Sequence, residues 1–173
     1  MAWRHPFDKS LITSRFGATA NRPTPHRGVD FAPKANTIIP SASSGTVRKL
    51  VWSDILGWVV VLSAWDPIKK KTVYPGYSHL SCSKHGIDCK GPKVHGEHSP
   101  LVSTKVGDKK AIGDPVGRVG NTGSASRGAH LHFTIGPSVN SVFSGEVWDP
   151  EKFVDEQIEK SKPKVCECCK RPL

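Results

Sequence analysis

Gly120-Asn121-Thr122-Gly123-Ser124-Ala125-Ser126-Arg127-Gly128-Ala129-His130-Leu131-His132-Phe133 is the stretch that decides how the rest of the chain reads. A glycine-rich turn runs into an alternating segment, and the alternation predicts a β-strand whose successive side chains point to opposite faces. His130 and His132 then share one face, and Leu131, Phe133 and Ile135 share the other. Two imidazoles on one face of a rigid strand suit a core poorly and a metal ion well. A lone His-x-His is nevertheless more often a hydrogen-bonded strand pair than a metal site, so the case rests on what stands upstream.

Upstream, residues 18–25 hold Asn21, Pro23 and Pro25 and read as loop. Out of that loop comes His26-Arg27-Gly28-Val29-Asp30-Phe31-Ala32. His26 and Asp30, four apart, fall on one face in extended or helical geometry. Gly28 suggests that the backbone there passes close to something. A third extended segment, Tyr77-Ser78-His79-Leu80-Ser81, alternates His79 with Leu80 and can turn His79 toward the other histidines. Imidazole and carboxylate are ligands that zinc accepts, and a catalytic zinc takes three of them while leaving its fourth position to water. Zinc lowers the pKa of such a water toward about 7. Of the five candidates His26, Asp30, His79, His130 and His132, two are therefore left to accept a proton or stabilise an oxyanion.

The remainder predicts a mainly β domain of open antiparallel character with one late helix. Residues 11–16 read as a short opening strand closed by Gly17. Residues 45–52 and 57–65 read as paired strands around residues 53–56, and Trp58-Val59-Val60-Val61-Leu62 has the length and β-branching of a buried strand. Asp66-Pro67 breaks the second strand, Lys69-Lys70-Lys71 marks a solvated hairpin tip, and residues 72–74 form a strand ending before Pro75-Gly76. Residues 82–100, rich in Gly, Lys, His and Ser, read as an inserted surface loop. Short strands and turns follow to residue 119. Asp149-Pro150 is a strong helix start, with Phe153, Val154 and Ile158 as the apolar stripe to about residue 160. Trp52, Trp58 and Trp65 are expected to be packing residues, and His5 a solvated terminal one.

At 173 residues the chain can bury one core, and Lys plus Arg exceed Asp plus Glu by 25 − 15 = 10. Such a charge attracts nucleic acid, an anionic membrane or an anionic bacterial wall. No recognition helix or aromatic-studded RNA-binding pattern accompanies it, and no apolar run is long enough to span a membrane. Met1-Ala2-Trp3-Arg4-His5-Pro6 lacks the apolar stretch of a secretory signal. Synthesis in a cytoplasm, no membrane insertion, no specific nucleic acid and a monomeric state are the expectations.

His26-x-x-x-Asp30, Tyr77-Ser78-His79-Leu80 and Gly120-Asn121-Thr122-Gly123…His130-Leu131-His132-Phe133 resemble, in order, the three signatures of the lysostaphin/LytM-type peptidases, the M23 family of zinc endopeptidases. The resemblance runs from about residue 14 to residue 133 and includes Thr13-Ser14-Arg15-Phe16-Gly17 and Gly45-Thr46-Val47. It implies an open antiparallel β-sheet assembly with an active-site groove. It further implies that His26, Asp30 and His132 hold a zinc ion, with His79 and His130 as the non-ligating catalytic pair. The implied substrate is a stem or cross-bridge peptide of bacterial peptidoglycan. The implied domain covers residues 1–160, with residues 161–173 as a basic cysteine-rich tail.

Three departures stand out. Some members carry a tyrosine shortly before the first ligand histidine; residues 18–25 have none, and Tyr77 is the speculative substitute. The 82–100 loop exceeds the usual connection and, bordering the groove, would shape bond specificity. No obvious wall-binding module is read in the sequence, which together with the small size and missing signal resembles a phage endolysin, expected to act at the wall after release. A different reading, a non-catalytic LytM-like module that binds wall or regulates, would fit members that have lost ligands, whereas all five site residues stand here.

Five cysteines without a signal point to reduced thiols rather than a disulfide framework. Cys166-x-Cys168-Cys169 looks like half of a zinc ribbon. With Cys82 and Cys89 or the loop histidines His85, His95 and His98, Cys166 and Cys169 form a candidate second, structural zinc site.

Overall fold

A run such as Val59-Val60-Val61-Leu62 has no polar side to offer water, so it is stable as a strand only when covered on both faces. In the computed structural model, which describes residues 2–20, 22–82 and 104–162, the run is the middle of β5 (Gly57–Asp66), and all four side chains are buried. Val60 and Leu62 join the main core; Val59 and Val61 join a smaller cluster with Val142 on the opposite face.

β5 belongs to a seven-stranded sheet in which every neighbouring pair is antiparallel. In spatial order its strands are β1 (Ile12–Ser14), β2 (Val29–Phe31), β9 (Leu131–Gly136), β6 (Lys71–Leu80), β5, β4 (Gly45–Ser53) and β7 (Lys109–Lys110). β3 (Ile38–Pro40) and β8 (Pro115–Arg118) make a separate antiparallel pair. One helix among the described residues, α1 (Pro150–Lys160), follows the last strand. This is the mainly β, antiparallel, late-helix architecture that the sequence predicts.

Helix α1 starts where the sequence places it. The Asp149 carboxylate accepts from the amides of Glu151 at 3.0 Å and Lys152 at 3.2 Å, with Pro150 at the first helical position. Its apolar stripe docks on the core, Phe153 meeting Trp3 edge-on at 5.0 Å between ring centres. Lys9 and Arg15 reach Glu151, and Lys9 also reaches Asp155, tying the chain's beginning to the helix.

Several local expectations are corrected. The first strand covers only Ile12–Ser14 and follows a short 3-10 turn, Lys9–Leu11, capped by Asp8. β6 does not stop at Pro75 but runs through it: Tyr74 and Pro75 keep their register with β9, while the register pairs with β5 skip both residues. Proline cannot donate to a ladder, so one side of the strand opens there while the other continues. β3 had no sequence signal. Trp52 and Trp58 pack edge-to-face, but Trp65 is 56% exposed. His5 is not simply solvated; its Nε2 lies 2.8 Å from Asp155 Oδ1. Lys69 and Lys71 at the hairpin tip stand over the ring of Trp148 at 5.6 and 4.4 Å.

The sheet positions the site through β9. Leu131, Phe133 and Ile135 point into the main core, so the alternate side chains, His132 among them, are presented to the other face. Above that face, the turn at residues 54–56 and the glycine-rich turn are stitched together. Ser124 and Ala125 amides donate to the Asp54 and Ile55 carbonyls, and Trp58 N donates to Thr122 Oγ1 at 3.1 Å. Gly57 has φ +66°, and a Cβ there would fall 2.1 Å from Thr122 Oγ1. Gly57→Ala combines left-handed strain with a backbone clash and is expected to cost about 3 kcal/mol or more of unfolding free energy. Urea denaturation checks this; a loss under about 1 kcal/mol would contradict the stitched-turn account.

Candidate metal centre

Each of the five histidine and aspartate candidates reaches one spot from a different backbone position. Asp30 is the middle residue of β2, flanked by Val29 and Phe31 in the core, so its carboxylate must face the opposite way. β2 pairs with β9 in a register that sets Asp30 directly across from His132. His26 lies just before β2, where Gly17 N donates to its carbonyl and its own amide donates to Ala18 O. Gly28 is the close approach that the sequence suggested: a Cβ there would meet Phe133 O at 2.5 Å and His132 Cε1 at 2.7 Å.

His26 Nε2, Asp30 Oδ1 and His132 Nδ1 form a triangle. The sides are 3.0 Å between the two nitrogens, 2.9 Å from His132 to Asp30 and 3.1 Å from His26 to Asp30. All three residues are buried. The Nδ1–H of His26 donates to Arg15 O at 3.0 Å, with Ser14 Oγ at 3.1 Å, which leaves Nε2 with its lone pair. Two acceptors, His26 Nε2 and Asp30 Oδ1, thus stand 3.1 Å apart, a contact that needs a shared positive partner. The Nδ1–H of His132 can serve, and so can a cation. Ligand atoms of a tetrahedral zinc with bonds of 2.0–2.1 Å are separated by about 3.3 Å, close to the sides found. The donor set, two imidazoles and a carboxylate, fits the ion by chemistry and by spacing. The second carboxylate oxygen, Asp30 Oδ2, accepts from Arg22 Nη2 at 3.0 Å. That bond and the Arg15 carbonyl orient the donors from behind, as outer partners of metal ligands commonly do.

His79 and His130 stand beside the triangle. His79 takes a left-handed backbone, φ +61°, which a non-glycine residue holds only when its surroundings impose it. Its amide donates to Leu56 O at 2.8 Å and its Nδ1–H to Thr122 O at 2.7 Å. Thr122 is itself held by Oγ1 donating to Leu80 O at 2.8 Å. The Nδ1–H of His130 donates to Gly128 O at 2.8 Å, and its Nε2 lies 3.8 Å from Asp30 Oδ1. With Nδ1 of each ring spent on a carbonyl, each Nε2 is an acceptor. The two ring centres are 4.6 Å apart, and His79 lies 6.0 Å from the ring of His132.

Charge is tightly controlled here. Burial would push the Asp30 carboxyl up, but the adjoining imidazoles of His132 and His26 outweigh it and hold the group well below the usual carboxylate range. Burial, reinforced by the neighbouring His130 and His132, lowers the His79 imidazole to about 3. Burial likewise lowers His132, against the pull of Asp30. Asp30, His79, His130 and His132 line one groove of about 950 Å³, together with Ser14, Arg22, Arg127 and Phe143.

Two expectations fail. Tyr77 is fully buried in the core against Phe133, its hydroxyl accepts from Ala42 N at 2.9 Å, and burial raises it to about 12. It cannot serve the groove. Cys82 is buried and disulfide-bonded, so it offers no thiolate to a second metal and departs from the reduced-thiol expectation. Cys89, Cys166, Cys168, Cys169 and the loop histidines His85, His95 and His98 lie outside the described residues. Sequence reading missed Arg22, whose loop carries no pattern, and the Thr122 carbonyl, which sits inside the quoted Gly-Asn-Thr-Gly turn.

Residues 24–144 match the model of a family described as Peptidase family M23. Among solved structures, LytU is 29% identical with a TM-score of 0.62, covering 89% of this chain and 90% of that one. A mutant catalytic domain of the prophage-encoded M23 protein EnpA from Enterococcus faecalis is 26% identical with a TM-score of 0.59, covering 84% and 92%. The catalytic domain of the antimicrobial peptidase lysostaphin from Staphylococcus simulans is 25% identical with a TM-score of 0.59, covering 83% and 91%. A curated relative from Buchnera aphidicola, described as an uncharacterized metalloprotease, is 28% identical over 123 residues; the match takes in 70% of this chain and only 26% of that relative.

The lowered His79 value carries a stability consequence with a definite sign. An unfolded histidine titrates near 6.5, whereas the folded His79 stays neutral to about pH 3. Between those values the unfolded chain binds the extra proton, so stability falls as the metal-free protein is acidified. One such group is expected to cost about 1–2 kcal/mol on going from pH 6.5 to 5.0. His79→Asn, a residue that tolerates left-handed backbone, should flatten that part of the slope. Urea midpoints at the two pH values in chelator measure it; identical slopes for the two proteins would contradict the assignment.

Proposed function

The chain belongs to peptidase family M23, and from that premise we propose that it is a zinc-dependent endopeptidase hydrolysing peptide bonds in the stem or cross-bridge peptides of bacterial peptidoglycan. The observation that carries this reading is the triangle of His26, Asp30 and His132 with two further imidazoles beside it, each presenting an unprotonated Nε2 to the same groove. In this reading His26, Asp30 and His132 hold the ion. Zinc, when bound, supplies a Lewis acid for the scissile carbonyl and makes a nearby water more acidic.

The rest falls to the chain. The groove aligns an extended peptide with its scissile carbonyl at the triangle. His79, which burial keeps neutral, holds the attacking water as a hydrogen-bond acceptor through Nε2. His130, fixed by the Gly128 carbonyl, takes a share of the water's proton or, once protonated, donates to the oxygen that gains charge. The proton then passes to the nitrogen of the departing amine as the C–N bond breaks. Thr122 and Gly128 contribute by forcing the tautomer: with Nδ1–H committed to a carbonyl, Nε2 cannot be the protonated nitrogen of a neutral ring.

A catalytic role is favoured over a wall-binding one because two tautomer-locked imidazoles beside an open metal site have little use in a binder. An excess of ten positive charges suits an anionic wall. A phage lytic role is consistent with the likeness to a prophage-encoded protein. No helix among the described residues is long and apolar enough to cross a membrane.

Substitutions separate the roles. His132→Ala is expected to lose both tight zinc binding and turnover, while His130→Ala retains zinc and loses turnover by about a hundredfold or more. Zinc content by mass spectrometry and release of new amino termini from purified peptidoglycan are the readouts. Wild-type activity in His130→Ala, or one tightly held zinc in His132→Ala, would contradict the reading.

A further inference from the structure

We propose that the groove selects peptides by their carboxylate groups, through Arg22 at one side and Arg127 at the other, so that the substrate is a carboxylate-bearing stem peptide rather than an uncharged glycine bridge. This rests on the peptidase reading above and narrows its substrate.

The charged side chains lining the groove, among the described residues and apart from the histidines, are Arg22, Arg27, Arg127 and Asp30. Asp30 is consumed by the triangle, which leaves, among the described residues, a cationic lining with no free acid. The kind of cation matters as well. The chain has 25 Lys plus Arg, of which only eight are Arg, yet among the described residues every lysine or arginine lining the groove is an arginine. A general attraction to an anionic wall needs only charge and is served by lysine. A planar guanidinium is the side chain that pairs with a carboxylate through two parallel hydrogen bonds.

The three arginines are not equivalent. Arg27 is anchored on the segment after β9 rather than on the triangle: its Nη2 donates to Ser141 O and Gly145 O. Arg22 makes both of its contacts, with Asp30 Oδ2 and Ser14 Oγ, through Nη2, so its Nε and Nη1 hydrogens remain for a ligand. Arg127 is exposed and makes no hydrogen bond or ion pair with a described residue. Its loop is nonetheless held in place. Ser126 Oγ donates to Asn121 Oδ1 at 2.6 Å and also lies 3.0 Å from Gly128 O, and the preceding residues are stitched to the turn at 54–56. Arg22 is fixed at the β2 side of the sheet through Asp30, whereas the Arg127 loop is fixed to the turn before β5. With β9 and β6 between β2 and β5, the two arginines belong to loops anchored on opposite sides of the site. A peptide laid across the triangle would meet one on each side of its scissile bond.

The test uses the full-length zinc-loaded protein and two synthetic cross-linked stem peptides. They are identical except that the side-branch carboxylates are free in one and carboxamides in the other. Both kcat/KM and Kd, by calorimetry at fixed salt, are measured. The free-acid peptide is expected to be preferred by about tenfold or more in each, the scale of a charge-assisted hydrogen bond. Arg127→Gln should bring the preference below about threefold while leaving zinc content and urea midpoint unchanged, and Arg127→Lys should restore only part of it. Equal binding of the two peptides by the wild-type protein, or a preference untouched in Arg127→Gln, would overturn the proposal. Its fate is distinct from that of the peptidase reading. Preferential binding without cleavage would remove the activity and leave the recognition standing, and equal cleavage of both peptides would do the reverse.

Discussion

The register of β2 against β9 is the constraint on which the site depends. Asp30 opposes His132 across that ladder, and both side chains leave the sheet on the face away from the core. A slip of one residue would turn every side chain of β2 to the opposite face, burying the Asp30 carboxylate in the core and expelling Val29 and Phe31 from it. The core forbids this, because Leu131, Phe133 and Ile135 alternate with the polar positions and are wholly buried. Hydrophobic patterning therefore places two charged or ionisable groups within hydrogen-bonding distance of each other without any energy of their own being required to hold them. Gly28 is part of the same constraint, since the backbone before Asp30 passes too near Phe133 O and the His132 ring for any side chain.

A second layer fixes protonation rather than position. Each imidazole outside the triangle has its Nδ1–H on a main-chain carbonyl, Thr122 for His79 and Gly128 for His130. Both carbonyls belong to the glycine-rich turn, so one loop sets the tautomer of both rings. His79 bears the strain of that arrangement in its left-handed backbone, and the interlocked Gly57, Thr122 and Gly123 hold it there. Backbone strain concentrated on a site residue, with rigid packing around it, is what a preorganised centre requires.

Much of this was legible in the sequence because it follows from period and chemistry. The alternation at His130-Leu131-His132-Phe133 gave the facing of β9, the run at Val59-Val60-Val61-Leu62 gave a doubly covered strand, and Asp149-Pro150 gave the helix start. The convergence of His26, Asp30 and His132 was legible through their resemblance to a family, since spacing alone left open which two of the five candidates do not ligate. What escaped depends on tertiary context. Pro75 reads as a breaker, yet a strand flanked on two sides can lose its pairing on one and keep the other. Tyr77 lies two residues from His79, but the direction of its side chain is decided by the core that it fills. Arg22 sits in a loop without pattern, and only the folded chain brings it to Asp30. Cys82 reads as a free thiol by count and compartment, and the fold pairs it in a disulfide.

The central claim is that two imidazoles and one carboxylate of this chain share a single ion in a four-coordinate site with one position left open. Cobalt(II) titrated into the chelator-stripped protein tests it most directly, because the visible absorption of that ion reports its coordination number. The account predicts saturation at one equivalent, the intense bands of a tetrahedral nitrogen and oxygen environment, and displacement of those bands by one equivalent of zinc. Absence of tight binding, or the faint spectrum of a six-coordinate ion that persists unchanged in Asp30→Ala, would contradict it.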